Sequence, residues 1–341
     1  MIAVGTVDGP VFEHLHRLTD GRGLFEHALH GDPRPEHGYC VDDVSRALLV
    51  VCRQHRPGSE LKLVGCRYLD FTLAAIQPDG SCHNRMSIDG EWSDEPGLGD
   101  WWGRALWGLG VAAAKAPTQA MRARALLGFR TAALSRSPHL RGLVFAALGA
   151  GELLLSRPAE LAAQELLRDA VAAIGVERGD VGWPWPQARL SYANGSIVHA
   201  LLLAGAVLPD RAAHVRGLEL LDFLLRTETH NGHLSVTPVG GRGPGDIGPG
   251  FDQQPIEVAA LADACALAFT LTGDPRWLDG VQLAWSWFLG DNDASTPMFD
   301  PATGAGFDGL QAAGCNLNQG AESTLALLST AQHAQRLGLL E

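Results

Sequence analysis

Lysine is nearly missing from this chain of 341 residues: only Lys62 and Lys115 stand among its 26 basic residues. The 38 acidic residues outnumber the basic ones, and the formal net charge is −12. Binding to the phosphates of a nucleic acid needs a concentrated basic surface. The composition therefore argues against a nucleic-acid partner.

Paired cysteines and long apolar runs are missing as well. The six cysteines include no CxxC pair, so they are most simply free thiols. The longest apolar runs, such as 197–208, are shorter than the ~20 residues that a membrane-spanning helix needs. The chain does not open on a charged segment followed by an apolar core, the pattern of a signal peptide. We therefore expect a cytoplasmic protein that binds no membrane.

A repeat runs through most of the chain. Six times, a short stretch of Gly, acidic, amide and aromatic residues leads into a helix-like segment rich in Ala, Leu, Val and Gly. These six stretches, called tips below, are 36–43, 94–104, 135–142, 183–196, 248–257 and 314–323. Helix pairs that recur in this way are typical of an open solenoid or of a closed toroid.

The helices predicted after the tips differ from those predicted between them. The first set is apolar almost all round, which is expected of helices buried on every side. These inner helices are expected to begin near Asp42, Asp100, Pro138, Leu190, Gln254 and Gln319. The second set carries charges along one face only. These outer helices are expected over 57–76, 117–134, 158–174, 210–226 and 274–289.

A buried inner ring enclosed by an amphipathic outer ring predicts an all-α fold, the (α/α)6 toroid. No linker or charge run interrupts the repeat, so we expect one domain over 1–341. Three Gly-rich stretches, 78–95, 228–250 and 291–313, each precede an inner helix and have the turn residues of short β-hairpins. The hairpins and the tips should therefore surround a concave site at one end.

Acidic residues occur in most of the tips. A single acid at a helix start is most simply an N-terminal cap or a partner of the helix dipole. Several acids that converge on one concavity would raise one another's pKa values and separate acid from base roles. A carboxylate pair is the usual apparatus for hydrolysing a glycosidic bond. The predicted catalytic pool is Asp43, Asp100, Asp252 and Glu322, and the further acids in these positions are Asp42, Glu257 and Asp308.

Aromatic and amide side chains accompany these acids. Aromatic faces can stack on sugar rings, although a tryptophan that plugs the barrel end is an equal alternative. The stacking candidates are Tyr39, Trp101, Trp183, Trp185 and Tyr192. The candidates for binding hydroxyl groups are Asn194, Gln253, Gln254, Asn318, Gln319 and His37. Arg104 follows Asp100 by one turn and is either a buried ion-pair partner or a substrate ligand.

A zinc site is an alternative interpretation of the same tips. Cys40, the adjacent Cys82 and His83, and Cys315 are all predicted at one end of the barrel, and two thiolates with an imidazole can hold a catalytic zinc ion. Their spacing is too wide to form a motif. We therefore expect an enzyme without a metal or other cofactor.

Five segments carry a family resemblance: YCVDDVSRAL, GRALWGLG, SYANGSIVHALLLAG, FDQQPIEVAALADAC and LNQGAEST. They resemble a bacterial group of six-hairpin-glycosidase-like proteins that occur alone or fused behind glycosyltransferase domains. The resemblance spans about 36–330 and implies an (α/α)6 fold that acts on carbohydrate, with a functional link to a glycosyltransferase. No sugar-nucleotide Rossmann pattern precedes the barrel here.

The leading hypothesis is a glycoside hydrolase, or a related glycan-processing enzyme, that acts on a neutral oligosaccharide containing mannose or glucose. Acids supplied from opposite sides of the barrel would be far apart, which favours an inverting mechanism. A sugar epimerase or isomerase is the second hypothesis, but such enzymes use histidines, and the tips contain few. A glycan-binding module without catalytic activity, serving a glycosyltransferase, is the third.

Overall fold

The structure, a computed structural model, describes residues 9–177, 180 and 182–340. Within these residues the backbone forms twelve α-helices and a short 3-10 turn at Pro35–His37. The helices are α1 (Glu13–Arg17), α2 (Val41–Arg53), α3 (Ser59–Ala75), α4 (Asp100–Lys115), α5 (Gln119–Ala132), α6 (Leu140–Ser156), α7 (Leu161–Ile174), α8 (Asn194–Val207), α9 (Arg211–Glu228), α10 (Pro255–Thr272), α11 (Pro275–Leu289) and α12 (Ala321–Arg336).

Six helices form the inner ring of the predicted toroid. Helices α2, α4, α6, α8, α10 and α12 each pack against the next, and α12 returns to α2. The outer helices α3, α5, α7, α9 and α11 pack against the inner helices that precede them, and the short α1 packs against α12. The (α/α)6 fold is confirmed, and the inner helices begin within a few residues of the predicted starts.

Glycine allows the inner helices to approach closely. A Cβ added to Gly110 on α4 would lie 2.1 Å from the carbonyl oxygen of Gly149 on α6, and one added to Gly149 would lie 2.1 Å from that of Leu106. No side chain fits between the two backbones. This contact explains the glycines of α4 and α6.

Ten short strands form five two-stranded antiparallel sheets among the described residues. The pairs are β1 (Ala28–Leu29) with β2 (Asp32–Pro33), β3 (Tyr39–Cys40) with β4 (Arg85–Met86), β5 (Thr229–His230) with β6 (His233–Leu234), β7 (Phe299–Asp300) with β8 (Ala305–Gly306), and β9 (Gly309–Gln311) with β10 (Gly314–Asn316). The predicted hairpins at 228–250 and 291–313 are confirmed in outline. The stretch 78–95 differs, because its strand β4 pairs with β3 outside the stretch, and only a single bridge, Met86 to Trp92, lies within it.

One helix, α10, is long and apolar enough to cross a membrane by length and composition alone. It belongs to the inner ring, and 67% of its apolar window is buried inside the protein. Its composition is therefore that of a helix enclosed by other helices.

Candidate active site

A cavity of about 710 Å³ opens at the end of the barrel where the inner helices begin. We call this end the mouth. Five carboxyl groups in its wall lie in the first turn of an inner helix: Asp42, Asp43, Asp100, Glu257 and Glu322. The positive end of a helix dipole stabilises an anion. The fold thus directs acids from four of the six tips toward one space.

Three of these carboxylates surround a single guanidinium group. The Nη2 atom of Arg46 lies 2.7 Å from Oδ1 of Asp42 and 2.5 Å from Oδ1 of Asp43. The Nη1 atom of the same arginine donates to Oε2 of Glu322 across 2.9 Å. Arg46 therefore contacts three acids, from α2 and α12, and the more distant Arg104, 3.8 Å from Asp42, is the second cation beside them.

Burial changes the protonation of Asp43 despite these cations. The side chain is buried, with 3% of the residue exposed. Burial raises the pKa of Asp43 to about 7, and the charges of Asp42 and Glu322 add to the rise while Arg46 opposes it. A carboxyl group with this pKa keeps a proton near neutral pH and can give it to a substrate.

Glu257 is the second carboxyl group with a raised pKa. Burial and the nearby charge of Glu228 raise the pKa of Glu257 to about 8. The backbone N–H groups of Ala193 and Asn194 both donate to this carboxylate, and so does Nδ2 of Asn194. Those donors hold the start of α8 against α10, which gives Glu257 a structural role beside its place in the cavity wall.

Two further acids make specific contacts in the wall. The hydroxyl of Tyr192 donates to Oδ2 of Asp100. Oδ1 of Asp308 accepts hydrogen bonds from N of Gly320 at 2.7 Å and from Oγ of Ser323 at 2.6 Å. Tyr192 remains 44% exposed, so part of its ring is accessible from the cavity. Asp308 instead braces the turn that leads into α12.

Arg104 lies at the inner part of the cavity wall. Its guanidinium carbon is 3.5 Å from the centroid of the Phe145 ring, and its Nε lies 3.8 Å from Oδ1 of Asp42. Only 4% of the residue is exposed, and its buried Nε has no hydrogen-bond acceptor. Burial lowers the pKa of Arg104. An oxygen of a bound ligand would meet a donor that the protein leaves unused.

Nine of the predicted residues lie in the wall of this cavity. They are Asp42, Asp43, Asp100, Arg104, Tyr192, Gln254, Glu257, Asp308 and Glu322. Asp252, which the sequence placed in the catalytic pool, is half-buried and lies outside the lining. The structure therefore brings together three of the four predicted catalytic acids.

The predicted stacking residues other than Tyr192 do not face the cavity. Tyr39 is fully buried, with its ring 5.2 Å from that of Phe25 and its hydroxyl donating to Asp20. Trp183 and Trp185 pack against the ring of Phe223. The indole N–H of Trp101 donates to the carbonyl of Cys82. These four residues lie outside the cavity lining, so the structure gives their predicted stacking on sugar no support; Tyr39 and Trp185 are buried and Trp101 and Trp183 partly buried.

Most of the predicted amides support loops. Gln253 is fully buried and accepts a hydrogen bond from Nε1 of Trp287, and Asn194 is fully buried at the start of α8. Oδ1 of Asn318 accepts from N of His30, and the backbone of Gln319 bonds to the same residue. All four were assigned to substrate hydroxyls and lie outside the cavity lining; the side chains of Gln253, Asn194 and Asn318 bond to backbone groups, whereas Gln319 contributes its backbone.

His37 is exposed and lies outside the lining, with its ring centroid 5.0 Å from that of His27. His27 does line the cavity, as do Glu26 and Arg85, which form an ion pair. The sequence interpretation missed Glu26 and His27 because they precede the first tip, and it missed Arg85 because it assigned the stretch 78–95 to a hairpin. The signal that could have found Glu26 and His27 is that both are polar and directly precede β1.

The cysteines do not come together in the arrangement that the alternative zinc interpretation required. Cys40 lines the cavity, but the buried thiol of Cys82 donates to the carbonyl of His83, whose ring stacks on Trp92. Among the described residues, the group with metal-ligand spacing is Glu26, Cys40 and Asp43, with atoms within 4.8 Å. Burial and the charges of Asp43 and Asp42 raise the pKa of the Cys40 thiol well above its ordinary value, which disfavours the thiolate that zinc requires.

Comparison with protein-family models gives no match, and comparison with curated protein sequences gives none either. Solved structures do match. A sugar epimerase from a ruminal bacterium superposes with a TM-score of 0.70 at 13% identity, over 96% of this chain and 95% of that one. The cellobiose 2-epimerase of Bacillus thermoamylovorans gives 0.70 at 10% identity, over 94% and 95%. The GH76 α-mannanase of Bacteroides thetaiotaomicron gives 0.64 at 11% identity, over 95% and 94%. At these identities the likeness establishes the fold.

Proposed function

We propose that the protein is a glycoside hydrolase that uses carboxyl groups at the mouth of the barrel. The observation that carries the proposal is Asp43, a buried acid with a pKa of about 7 that shares Arg46 with Asp42 and Glu322. Hydrolysis of a glycosidic bond needs one carboxyl group that holds a proton and one that does not. The solved structures of similar fold include enzymes named for work on sugars, which supports carbohydrate as the substrate class.

In this mechanism Asp43 protonates the oxygen of the leaving sugar. In the same displacement a second carboxylate takes a proton from a water molecule, whose oxygen bonds to the anomeric carbon as the glycosidic bond breaks. Asp100 on α4 and Glu322 on α12 are the candidates for this base, because both face the cavity from the helices that flank α2. Because α4 and α12 are neighbours of α2, the wide separation expected of acids on opposite sides of the barrel does not support inversion here. The inverting mechanism stays a prediction, and the anomer of the first product, measured by proton NMR, tests it.

The substrate we propose is a neutral oligosaccharide that contains mannose or glucose. The cavity volume falls within the roughly 300–1,000 Å³ of small-ligand sites. Exposed Tyr192 can stack on a sugar ring, while Gln254 and Arg104 offer donors to its hydroxyl groups. A functional link with a glycosyltransferase stays a prediction.

A sugar epimerase or isomerase is the second candidate, because two of the solved structures above are sugar epimerases. The cavity argues against an imidazole pair as acid and base, since His27 is the one histidine in the lining that the described residues provide. Epimerisation in D2O would place deuterium on a sugar carbon. Hydrolysis in H2 18O would place the heavy oxygen at the anomeric centre of one product.

The test is incubation of the protein with a panel of neutral oligosaccharides, with and without a chelator, followed by mass spectrometry. We expect release of a sugar carrying water oxygen, no carbon-bound deuterium, and loss of release in Asp43→Asn. Asp252→Asn is the matched control, because Asp252 lies outside the cavity, and it should retain activity. Binding of a glycan without turnover, or full activity of Asp43→Asn, would overturn the proposal.

A further inference from the structure

The opposite end of the barrel holds a second polar region. Each of the six inner helices places an ionisable side chain there, α12 two of them, and we call this end the base. The seven residues are Arg53, Lys115, Glu152, His199, Asp263, His333 and Arg336. None of them belongs to the lining of the mouth cavity.

Most of these groups satisfy one another. Arg53 donates to Oδ1 of Asp263 across 2.8 Å and to Oε1 of Glu152 across 3.1 Å. Lys115 donates to Oε2 of Glu152 across 2.8 Å, and Nε2 of His333 lies 2.5 Å from Oδ1 of Asp263. Two carboxylates thus compensate Arg53 and Lys115, and this part of the base needs no ligand.

Two cations remain without a carboxylate. Arg56 follows α2 and Arg336 ends α12, and neither forms an ion pair with any residue that the structure describes. Arg336 donates a hydrogen bond to Nδ1 of His333. That imidazole is neutral when its proton is on Nε2, so it does not compensate the charge of Arg336. Among the described residues that line this end, four cations therefore face two carboxylates, in a chain whose net charge is −12.

These side chains line two adjoining cavities. The outer one measures about 640 Å³, and its lining contains Arg53, Arg56, Lys115 and Arg336 but no carboxylate. The inner one measures about 310 Å³ and shares Arg53, Lys115 and Arg336 with the outer one. The space is large enough for a ligand, and its entrance is lined by one sign of charge.

His199 supplies an independent sign of a missing partner. It lines the inner cavity, is 4% exposed, and its buried Nδ1 atom has no hydrogen-bond partner. Buried polar atoms are nearly always paired in folded proteins. A polar ligand in the inner cavity would satisfy this atom.

We propose that the basal cavities bind a small anion that carries a phosphate group, held by Lys115, Arg336 and Arg56. The surplus of two positive charges matches a phosphate dianion. Guanidinium groups recognise phosphate oxygens through paired hydrogen bonds, and Lys115 keeps donors beyond the one it gives to Glu152. The negative ends of the inner helix dipoles also lie here and stabilise cations, but that effect requires no cavity. The proposal is independent of the function proposed for the mouth.

The experiment is calorimetric titration of the full chain with inorganic phosphate at constant ionic strength. Arg56→Gln and Arg336→Gln are the test variants, and both side chains lie at the surface, so the fold should survive. Arg226→Gln, an exposed arginine on α9, is the control. We expect saturable binding to wild type and control, and binding about tenfold weaker in each test variant, because each loses a charged hydrogen-bond donor.

A sugar phosphate and the matching free sugar form the second arm. Tighter binding of the sugar phosphate than of phosphate would identify a phosphorylated metabolite as the ligand, and equal binding would identify free phosphate. Either result supports the site. The proposal is overturned if phosphate does not bind wild type saturably, or if it binds the test variants and the control equally. It is also overturned if titration of wild type with sodium chloride gives the same heat as titration with phosphate.

Discussion

The mouth and the base of the barrel bury carboxyl groups to a similar degree, yet their pKa values move in opposite directions. Asp43 at the mouth is 3% exposed, and Asp263 and Glu152 at the base are 4% and 6% exposed. Burial raises the pKa of Asp43 to about 7. At the base burial acts in the same sense, but the charges of Lys115 and Arg53 overcome it and lower the pKa of Glu152 to about 2.

The difference lies in the ratio of cations to acids at each end. At the mouth, Arg46 contacts Asp42, Asp43 and Glu322, and the more distant Arg104 contacts only Asp42. At the base, Arg53 and Lys115 face only two carboxylates, those of Asp263 and Glu152. Charge compensation stabilises a fold, whereas an uncompensated acid can exchange a proton. Helix dipoles favour acids at one end and bases at the other in any such barrel, so the sign of charge alone does not indicate function.

Asp43→Asn should have the largest effect on activity. An amide keeps the shape of the side chain but cannot donate the proton that the mechanism requires. We expect kcat/KM to fall by about 10²–10⁴-fold, measured on whichever oligosaccharide the panel identifies. The variant should remain folded by circular dichroism. A loss below fivefold would mean that Asp43 does not act as the acid.

Asp263→Asn should have the largest effect on stability. It leaves Arg53 buried with one carboxylate partner, and breaking a buried ion pair costs about 3–5 kcal/mol. The free energy of unfolding in urea is the measurement. Asp70→Asn, which removes the exposed partner of Arg124, is the control and should change it by about 1 kcal/mol or less. Equal effects of the two substitutions would contradict a structural role for the base.

The pH dependence of stability should separate the two ends. The folded pKa of Asp43 lies above its ordinary value of 3.8, so its ionisation destabilises the fold progressively as pH rises from about 4 to about 7. The stability of Asp43→Asn relative to wild type should increase as pH rises through that window and should stay constant at higher pH. The folded pKa of Glu152 is lowered from 4.5 to about 2, so its contribution is lost as pH falls between those values.

Urea unfolding of wild type, Asp43→Asn and Glu152→Gln at a series of pH values provides both comparisons. The stability difference between wild type and Glu152→Gln should shrink below pH 4.5. If the Asp43→Asn difference were constant from pH 4 to 7, the proposed shift at the mouth would be absent.

Tyr192→Phe should have the smallest effect. It removes the hydroxyl that donates to Asp100 but keeps the partly exposed ring. We expect kcat/KM to fall by about tenfold or less, the equivalent of one hydrogen bond, with unfolding in urea unchanged. A loss as large as that of Asp43→Asn would instead place Tyr192 in the proton transfer itself.

The sequence was sufficient to predict the fold because the two sets of helices differ in pattern. The inner helices are apolar almost all round, and the outer helices are apolar on one face and charged on the other. Three of the four acids in the predicted pool were also placed at the mouth: Asp43, Asp100 and Glu322 occupy first turns of inner helices, and first turns of parallel inner helices meet at one end. That argument depends only on helix direction. It needs no knowledge of side-chain contacts. Asp252 precedes its helix and lies outside the cavity lining.

Side-chain orientation in the loops could not be predicted in the same way. Trp183 and Tyr39 have the composition of sugar-binding residues, but long-range contacts with Phe223 and Phe25 turn their rings inward. The ion pairs of the base were equally hidden, since Arg53 and Asp263 are separated by 210 positions. Pairings of this kind depend on ring closure, which no local pattern specifies.

The most direct test of the account is the titration of Asp43 itself, which needs no substrate. The carbon-13 NMR signal of its carboxyl group, assigned by its absence from Asp43→Asn, would be followed from pH 3 to pH 9. The account predicts a midpoint near pH 7. A midpoint at or below the ordinary value of 3.8 would show that Arg46 fully compensates Asp43, and the mouth would then lack its proton donor.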